Sequence, residues 1–237
     1  MTTIQGSISK LVDNSNNSFQ SLGYVSSNMA NWNTTSYKGQ RFETFMGPEN
    51  VLSGVVRIDT SPGSNLATFR QLDVALEGTG YIPITNEKGE ILYTRDGSFA
   101  VNSDGYIVSK HNALVGGGIK LPANYERIKI STDGTVNIQK EKYAPFETIG
   151  KIPVVVFQNP EGLEIAEGNT VKETEGSGKP ELLLGHAKIR QGMLERGNVD
   201  GYALVNETIK LNGSIISSTR VIKILDEIYK ESINLRQ

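Results

Sequence analysis

The chain has 237 residues, 26 acidic against 24 basic side chains for a net charge of −2, and no cysteine. That length allows one or two compact units, and a balanced charge without clustered Lys or Arg disfavours a nucleic-acid partner. Without thiols there are no disulfides, thiolate zinc sites or cysteine nucleophiles, and a cysteine-free chain suits a compartment outside the cytosol.

The opening MTTIQGSISK has no basic start, apolar run or small-residue cleavage site, so it does not read as a secretory signal. If the protein is exported, it leaves by a route that reads no cleaved leader. A helix is predicted up to about residue 38. Its 3-4 spaced positions are Ile4, Ile8, Leu11, Ser15, Ser18, Leu22, Val25, Met29 and Trp32, the pattern of a coiled-coil seam. The two serines lie inside DNSNNS (Asp13 to Ser18), whose side chains compete for backbone hydrogen bonds and weaken an isolated helix.

Residues 39–72 show no clear period and read as an extended connector with some strand, marked by Pro48, Gly54, Pro62 and Gly63. Residues 73–198 read as a β-rich domain. Short alternating runs are divided by Lys88-Gly89, Asp96-Gly97, Asp104-Gly105 and Asp133-Gly134, each a hairpin signal. Val154 to Phe157 reads as a buried strand and Thr174 to Pro180 as a polar loop. The longest apolar run, Ile152 to Phe157, is broken by Pro153 and is far too short to span a membrane.

A second helix is predicted from about Asp200 to Leu235, with Asn198 or Asp200 as its cap. One seam runs through Leu204, Thr208, Leu211, Ile215, Ser218, Ile222, Leu225 and Tyr229. A second stripe lies beside it: Val205, Ile209, Ile216, Val221, Ile224 and Ile228. Together they are wider than one partner helix can cover. Gly213 and the β-branched residues weaken this helix too. Two marginal helices flanking a β-rich middle suggest chain ends that order on assembly.

Motifs for chemistry are weak. Around Gly176-Ser177-Gly178-Lys179-Pro180, Glu173 and Pro180 occupy positions where a phosphate loop needs Gly and Ser or Thr. Gly78-Thr79-Gly80 lacks the third glycine of a dinucleotide fingerprint. His111 and His186 have no ligand-spaced partner, no nucleophile elbow is present, and Glu195 and Asp96 carry no special signal as paired acids. No catalytic, cofactor-binding or metal-binding residue is assigned.

Several segments in order resemble one family. In SNMANWNTTSYK (Ser27 to Lys38), Asn28, Ala30, Asn31, Thr34 and Lys38 match the N-terminal signature of the flagellar rod and hook axial proteins, with Ser27, Ser36 and Tyr37 standing for Asn, Gly and Phe. LDVALEGTGYIPI (Leu72 to Ile84) and YTRDGSFAVNSDGYIV (Tyr93 to Val108) are similar to its next motifs. GMLERGNV (Gly192 to Val199), with Asn198 and Val199 matching and Gly197 in place of Ser, resembles the opening of its C-terminal helix. Gly54 to Ile58 and Gly63 to Leu66 lean toward the distal rod protein, and the short length toward the proximal one.

The resemblance implies a structural, non-enzymatic component of the bacterial flagellar basal-body rod. Such a chain is exported unfolded through the flagellum's own type III apparatus and assembles helically into a drive shaft crossing the periplasm. Its implied partners are further copies of itself, other rod and hook axial proteins, the export apparatus and the P- and L-ring bushing. No nucleic acid, membrane insertion or cofactor is expected.

The expected fold is α+β. Residues 1–38 plus 199–237 form a coiled-coil-like terminal helical assembly domain, 39–72 a connector, and 73–198 an outer domain of short antiparallel strands. The expected assembly residues are Ile4, Ile8, Leu11, Leu22, Val25, Met29, Leu204, Leu211, Ile215, Ile222 and Leu225. The other reading is an extracellular module on a coiled-coil stalk, binding glycan or peptide through its β domain.

Overall fold

The structure is a computed structural model that describes residues 4–47, 52–183 and 188–234; of Ile4 and Leu52 it describes the backbone only. The chain divides into two units, one of residues 1–32, 39–59 and 199–237, the other of residues 33–38 and 60–198.

The helical unit holds α1 (Ile4–Ala30), a hairpin of β1 (Gln40–Met46) and β2 (Leu52–Ile58), and α2 (Gly201–Asn234). The helices run antiparallel. Gln5 bonds Tyr229, Asn14 bonds Ser218 at 3.4 Å, and Trp32 lies against Gly201. DNSNNS is helical despite its propensity, because Ser18 is buried within this unit and returns its hydroxyl to the Asn14 carbonyl at 2.9 Å. Packing outweighs a propensity cost of a few tenths of a kcal/mol per residue.

α1 stops at Ala30, eight residues before the predicted end near 38. Asn31 ends it: its amide is shared between the Ser27 and Asn28 carbonyls, and its side chain also donates to Ser27 O at 2.9 Å. Asn, Thr and Ser then favour turns over further helix. α2 begins where Asp200 Oδ1 accepts the Tyr202 amide at 2.9 Å, so of the two candidate caps Asp200 performs the role.

The hairpin packs on α1. Tyr24 stacks on Phe42 with centroids 5.9 Å apart, and Gly54 leaves room for that ring, since a Cβ there would lie 1.9 Å from Phe42 Cζ. Two seven-residue strands thus lie inside the predicted connector. They are exposed along much of both faces, so no alternation marks them in the sequence.

The β unit is built from short antiparallel strands. Its largest sheet has seven, in the order Glu164–Ala166, Thr170–Lys172, Ile91–Thr94, Ile82–Thr85, Leu114–Val115, Ile107–Val108 and Ala100–Val101. A three-stranded sheet holds Arg127–Ile130, Thr135–Gln139 and Glu147–Lys151. Phe99, Ile82, Ile107, Ile138, Ile152 and Ile189 are among the residues that fill the common core.

Three of the four turn signals close hairpins, with Gly89, Gly105 and Gly134 at φ of 80°, 85° and 87°. Asp96-Gly97 does not, since the strands on either side of it are not neighbours in the sheet. Gly97 is there for a close approach: a Cβ would lie 1.9 Å from the Val74 carbonyl oxygen. Two exposed aromatics, Phe69 (φ 60°) and Tyr143 (φ 76°), adopt the left-handed backbone, which costs a bulky residue on the order of 1–2 kcal/mol.

Candidate assembly surface

In the helical unit the predicted seam and the second stripe part company. Leu204 and Ser218 are buried, and Thr208, Leu211, Ile215, Ile222 and Leu225 are half-buried along one line of α2. On α1, Val25 is buried and Ile8, Leu11 and Leu22 are half-buried. Antiparallel pairing sets these two lines against each other within one chain. Met29 departs from its line; it is 43% exposed, and Asn28 takes the buried position.

The second stripe of α2 is bare. Val205, Ile209, Ile216, Val221, Ile224 and Ile228 are each between 43% and 64% exposed. Phe19 and Val12 add exposed apolar area on α1. Six large aliphatic side chains in a helical row are more than the scattered apolar residues of an ordinary surface.

The residues of the N-terminal signature are structural ties. Asn28 donates from Nδ2 to the Gln40 carbonyl at 2.7 Å and accepts the Gln40 amide on Oδ1 at 2.9 Å, imitating a strand neighbour for the start of β1. The Thr34 carbonyl accepts the Tyr37 amide at 3.3 Å. Ser36 holds φ 56° where the family pattern has Gly, and its hydroxyl donates to the Arg95 carbonyl at 2.8 Å.

Within the β unit, Glu195 is the centre of a buried polar clamp. Its Oε1 accepts Lys38 Nζ and the Gly63 amide, each at 2.8 Å, and its Oε2 accepts Arg95 Nε at 2.8 Å. Arg95 also donates to the carbonyls of Gly80 at 2.6 Å and Gly78 at 2.9 Å. Close by, Asn198 donates from its amide to Tyr37 O and from its side chain to Ser61 O, which Lys38 Nζ also reaches at 2.6 Å. Burial pushes the Tyr81 phenol above its usual range, with Arg95 opposing and Glu195 adding to the shift. In the sequence alone Glu195 is one acid among 26. The available signal was its place in LERGNV beside the matched Asn198 and Val199, with Lys38 and Arg95 also inside motifs.

His111 is exposed and lies over Gly168, and His186 falls outside the described residues. Among the described residues no group of three or more His, Cys, Asp or Glu is placed to hold a metal, and no helix is long and apolar enough to cross a membrane.

Residues 75–138, within the β unit, match the family described as the flagellar hook protein FlgE/F/G D1 domain. Over 241 aligned residues the chain is 30% identical to the flagellar basal-body rod protein FlgG of Caulobacter vibrioides, covering 90% of this chain and 92% of that protein. The chain belongs to the flagellar basal-body rod protein family. Similarity extends to FlgG of Bacillus subtilis, 32% identical over 78% of this chain and 73% of that protein. It also extends to the rod protein FlgF of Buchnera aphidicola (Schizaphis graminum), 27% identical over 74% of this chain and 76% of that protein. As a member of the rod protein family, the chain is a structural component of the flagellar basal body and not an enzyme. The kinship does not favour a glycan- or peptide-binding module.

Proposed function

We propose that this rod protein self-assembles through its terminal helices into the shaft that carries torque to hook and filament. The bare stripe of α2, Val205 to Ile228, is the observation that carries this reading. The inner seams, including Ile8, Leu11, Leu22, Val25, Leu204, Leu211, Ile215, Ile222 and Leu225, make the two-helix unit, and the outer stripe meets neighbouring subunits.

A few hundred Å² of apolar surface covered per contact contributes several kcal/mol at ~25 cal/mol per Å². Repeated along a lattice that does not close on itself, such contacts build a stiff filament. Other rod and hook axial proteins are the neighbours above and below, with the P- and L-ring bushing around the shaft in the periplasm. Export through the flagellum's own type III apparatus belongs to the same reading.

Sedimentation of the purified full chain over a range of concentrations, with circular dichroism at each, tests the reading. Association is expected to grow with concentration and to vanish when Ile216 and Ile224 are both changed to Asp. A chain that stays monomeric throughout, or a double variant that associates as the parent does, overturns it.

A further inference from the structure

The bare stripe of α2 is cut near its middle by Gly213, which is exposed and stands at 3-4 spacing between Ile209 and Ile216. Glycine is a poor residue for a helix interior, and the folded chain does not call for it there. Beyond its own helical turn, a Cβ on Gly213 would meet no described atom within 4 Å. Gly23 repeats the arrangement on α1. It too is exposed under open space, at the same spacing from Phe19 and Ser26, on the face that carries the exposed Val12.

That face of α1 is also free of charge. From Asn14 to Tyr37 there is no Asp, Glu, Lys, Arg or His, in a chain that is 21% charged. A helix face that stays in water ordinarily carries charges, whereas the centre of an interface is depleted of them. On α2 the charged residues between Ile209 and Ile224 are all basic: Lys210, Arg220 and Lys223. Two α2 stripes laid together would set these like charges side by side. The outer face of α1 brings none.

We propose that the outer face of α1 from a second copy of this chain covers the bare stripe of α2, the helices crossing closest where Gly23 of one meets Gly213 of the other. This rests on the self-assembly reading and names the occupant of its stripe. With no Cβ on either side the two backbones approach closely, and Phe19 packs beside Ile209 and Ile216. The inner seams are already used within each chain. Each copy offers one face of each kind, so the contact is head to tail and propagates instead of closing into a pair.

The test uses the full chain. Gly23→Gln and Gly213→Gln each put a good helix former into open space, so both should melt about a few degrees above the parent at a concentration where the parent is monomeric. The same variants place a long polar side chain at the crossing. In sedimentation each should need at least roughly tenfold more protein than the parent to associate. A glycine that served the fold alone would not give a gain in melting with a loss in association. Phe19→Lys, at a position 57% exposed, should show the same loss of association. An equimolar mixture of the two glutamine variants should form a heterodimer, since one keeps the α2 stripe and the other the α1 face.

Parent-like association of Gly23→Gln or Phe19→Lys, beside loss in the Ile216 and Ile224 double aspartate variant, overturns α1 as the occupant while leaving self-assembly standing. A glutamine variant that melts below the parent shows that its glycine serves the fold and overturns the crossing. A parent that never associates removes both readings.

Discussion

Glu195 and Arg95 meet at 2.8 Å with side chains 0% and 3% exposed, and Lys38, 11% exposed, takes the other carboxylate oxygen. The carboxylate satisfies two cations and the Gly63 amide at once. Removing it strands buried charge, which is far more costly than the pair's net contribution to stability. Glu195→Ala is expected to destabilise the protein by about 3–5 kcal/mol in urea unfolding. Glu195→Gln, which keeps the shape, should cost less. An alanine variant within 1 kcal/mol of the parent, on the order of an exposed pair's value, would mean the clamp is peripheral.

The Asn28 clamp predicts a local effect. Asn28→Ala leaves both the amide and the carbonyl of Gln40 without their partner. A loss of about 1–3 kcal/mol is expected, because buried backbone groups are left unsatisfied. Hydrogen exchange at Gln40 and its neighbours in β1 should quicken while the core strand Ile82–Thr85 stays protected. Unchanged exchange at Gln40 would count against the clamp.

Ser36 separates strain from bonding. Ser36→Gly relieves the left-handed cost of about 1 kcal/mol and loses a hydrogen bond worth a similar amount, so little net change is expected. Ser36→Ala keeps the strain and loses the bond to Arg95 O, and about 1–3 kcal/mol should be lost. Thermal melts of the two variants side by side check the order; alanine equal to or better than glycine would refute it.

The two sides of α2 should respond differently to charge. Leu211→Asp and Ile215→Asp put a carboxylate into the half-buried seam facing α1, and a loss of about 2–4 kcal/mol from the helical unit is expected. Ile224→Asp, at a position 55% exposed, should leave unfolding almost unchanged and impair swimming. Equal destabilisation by seam and stripe variants would show the two faces to be wrongly assigned.

Tyr93 sets an alkaline limit. Its buried phenol is pushed up to about 12, first by desolvation and then by Glu173, whose carboxylate accepts the phenol hydrogen at 3.3 Å. The folded value lies above the unfolded one of 10.0. The contribution of Tyr93 is therefore fully present below pH 10 and is lost as pH rises toward 12. Urea unfolding between those limits should show a steeper decline for the parent than for Tyr93→Phe. Parallel declines would exclude Tyr93 as a source.

What could be read in advance follows physical period and local chemistry. The apolar stripes of α1 and α2 and the glycine turns at Gly89, Gly105 and Gly134 are local signals, and the structure contains them. Asp13 to Ser18 is helical only through contacts with a segment some two hundred residues away, which no window along the chain contains. β1 and β2 are wet on both faces and leave no alternation. Glu195 is an ordinary acid until Lys38, Gly63 and Arg95 converge on it from three separate segments. Which α2 stripe faces inward depends on where α1 lies, and the two stripes are almost equally apolar in sequence.

The pairing of Asn14 with Ser218 joins residues 204 positions apart, with the whole β unit lying between them. Local hairpins gain their contacts early, whereas a closure this distant must wait for the intervening chain to be in hand. A chain passed end-first through a narrow conduit therefore emerges with α1 still lacking its mate. On the assembly and export proposed above, docking competence arrives with the final helix, and the last stretch through sets the moment when a subunit becomes fit to join its neighbours.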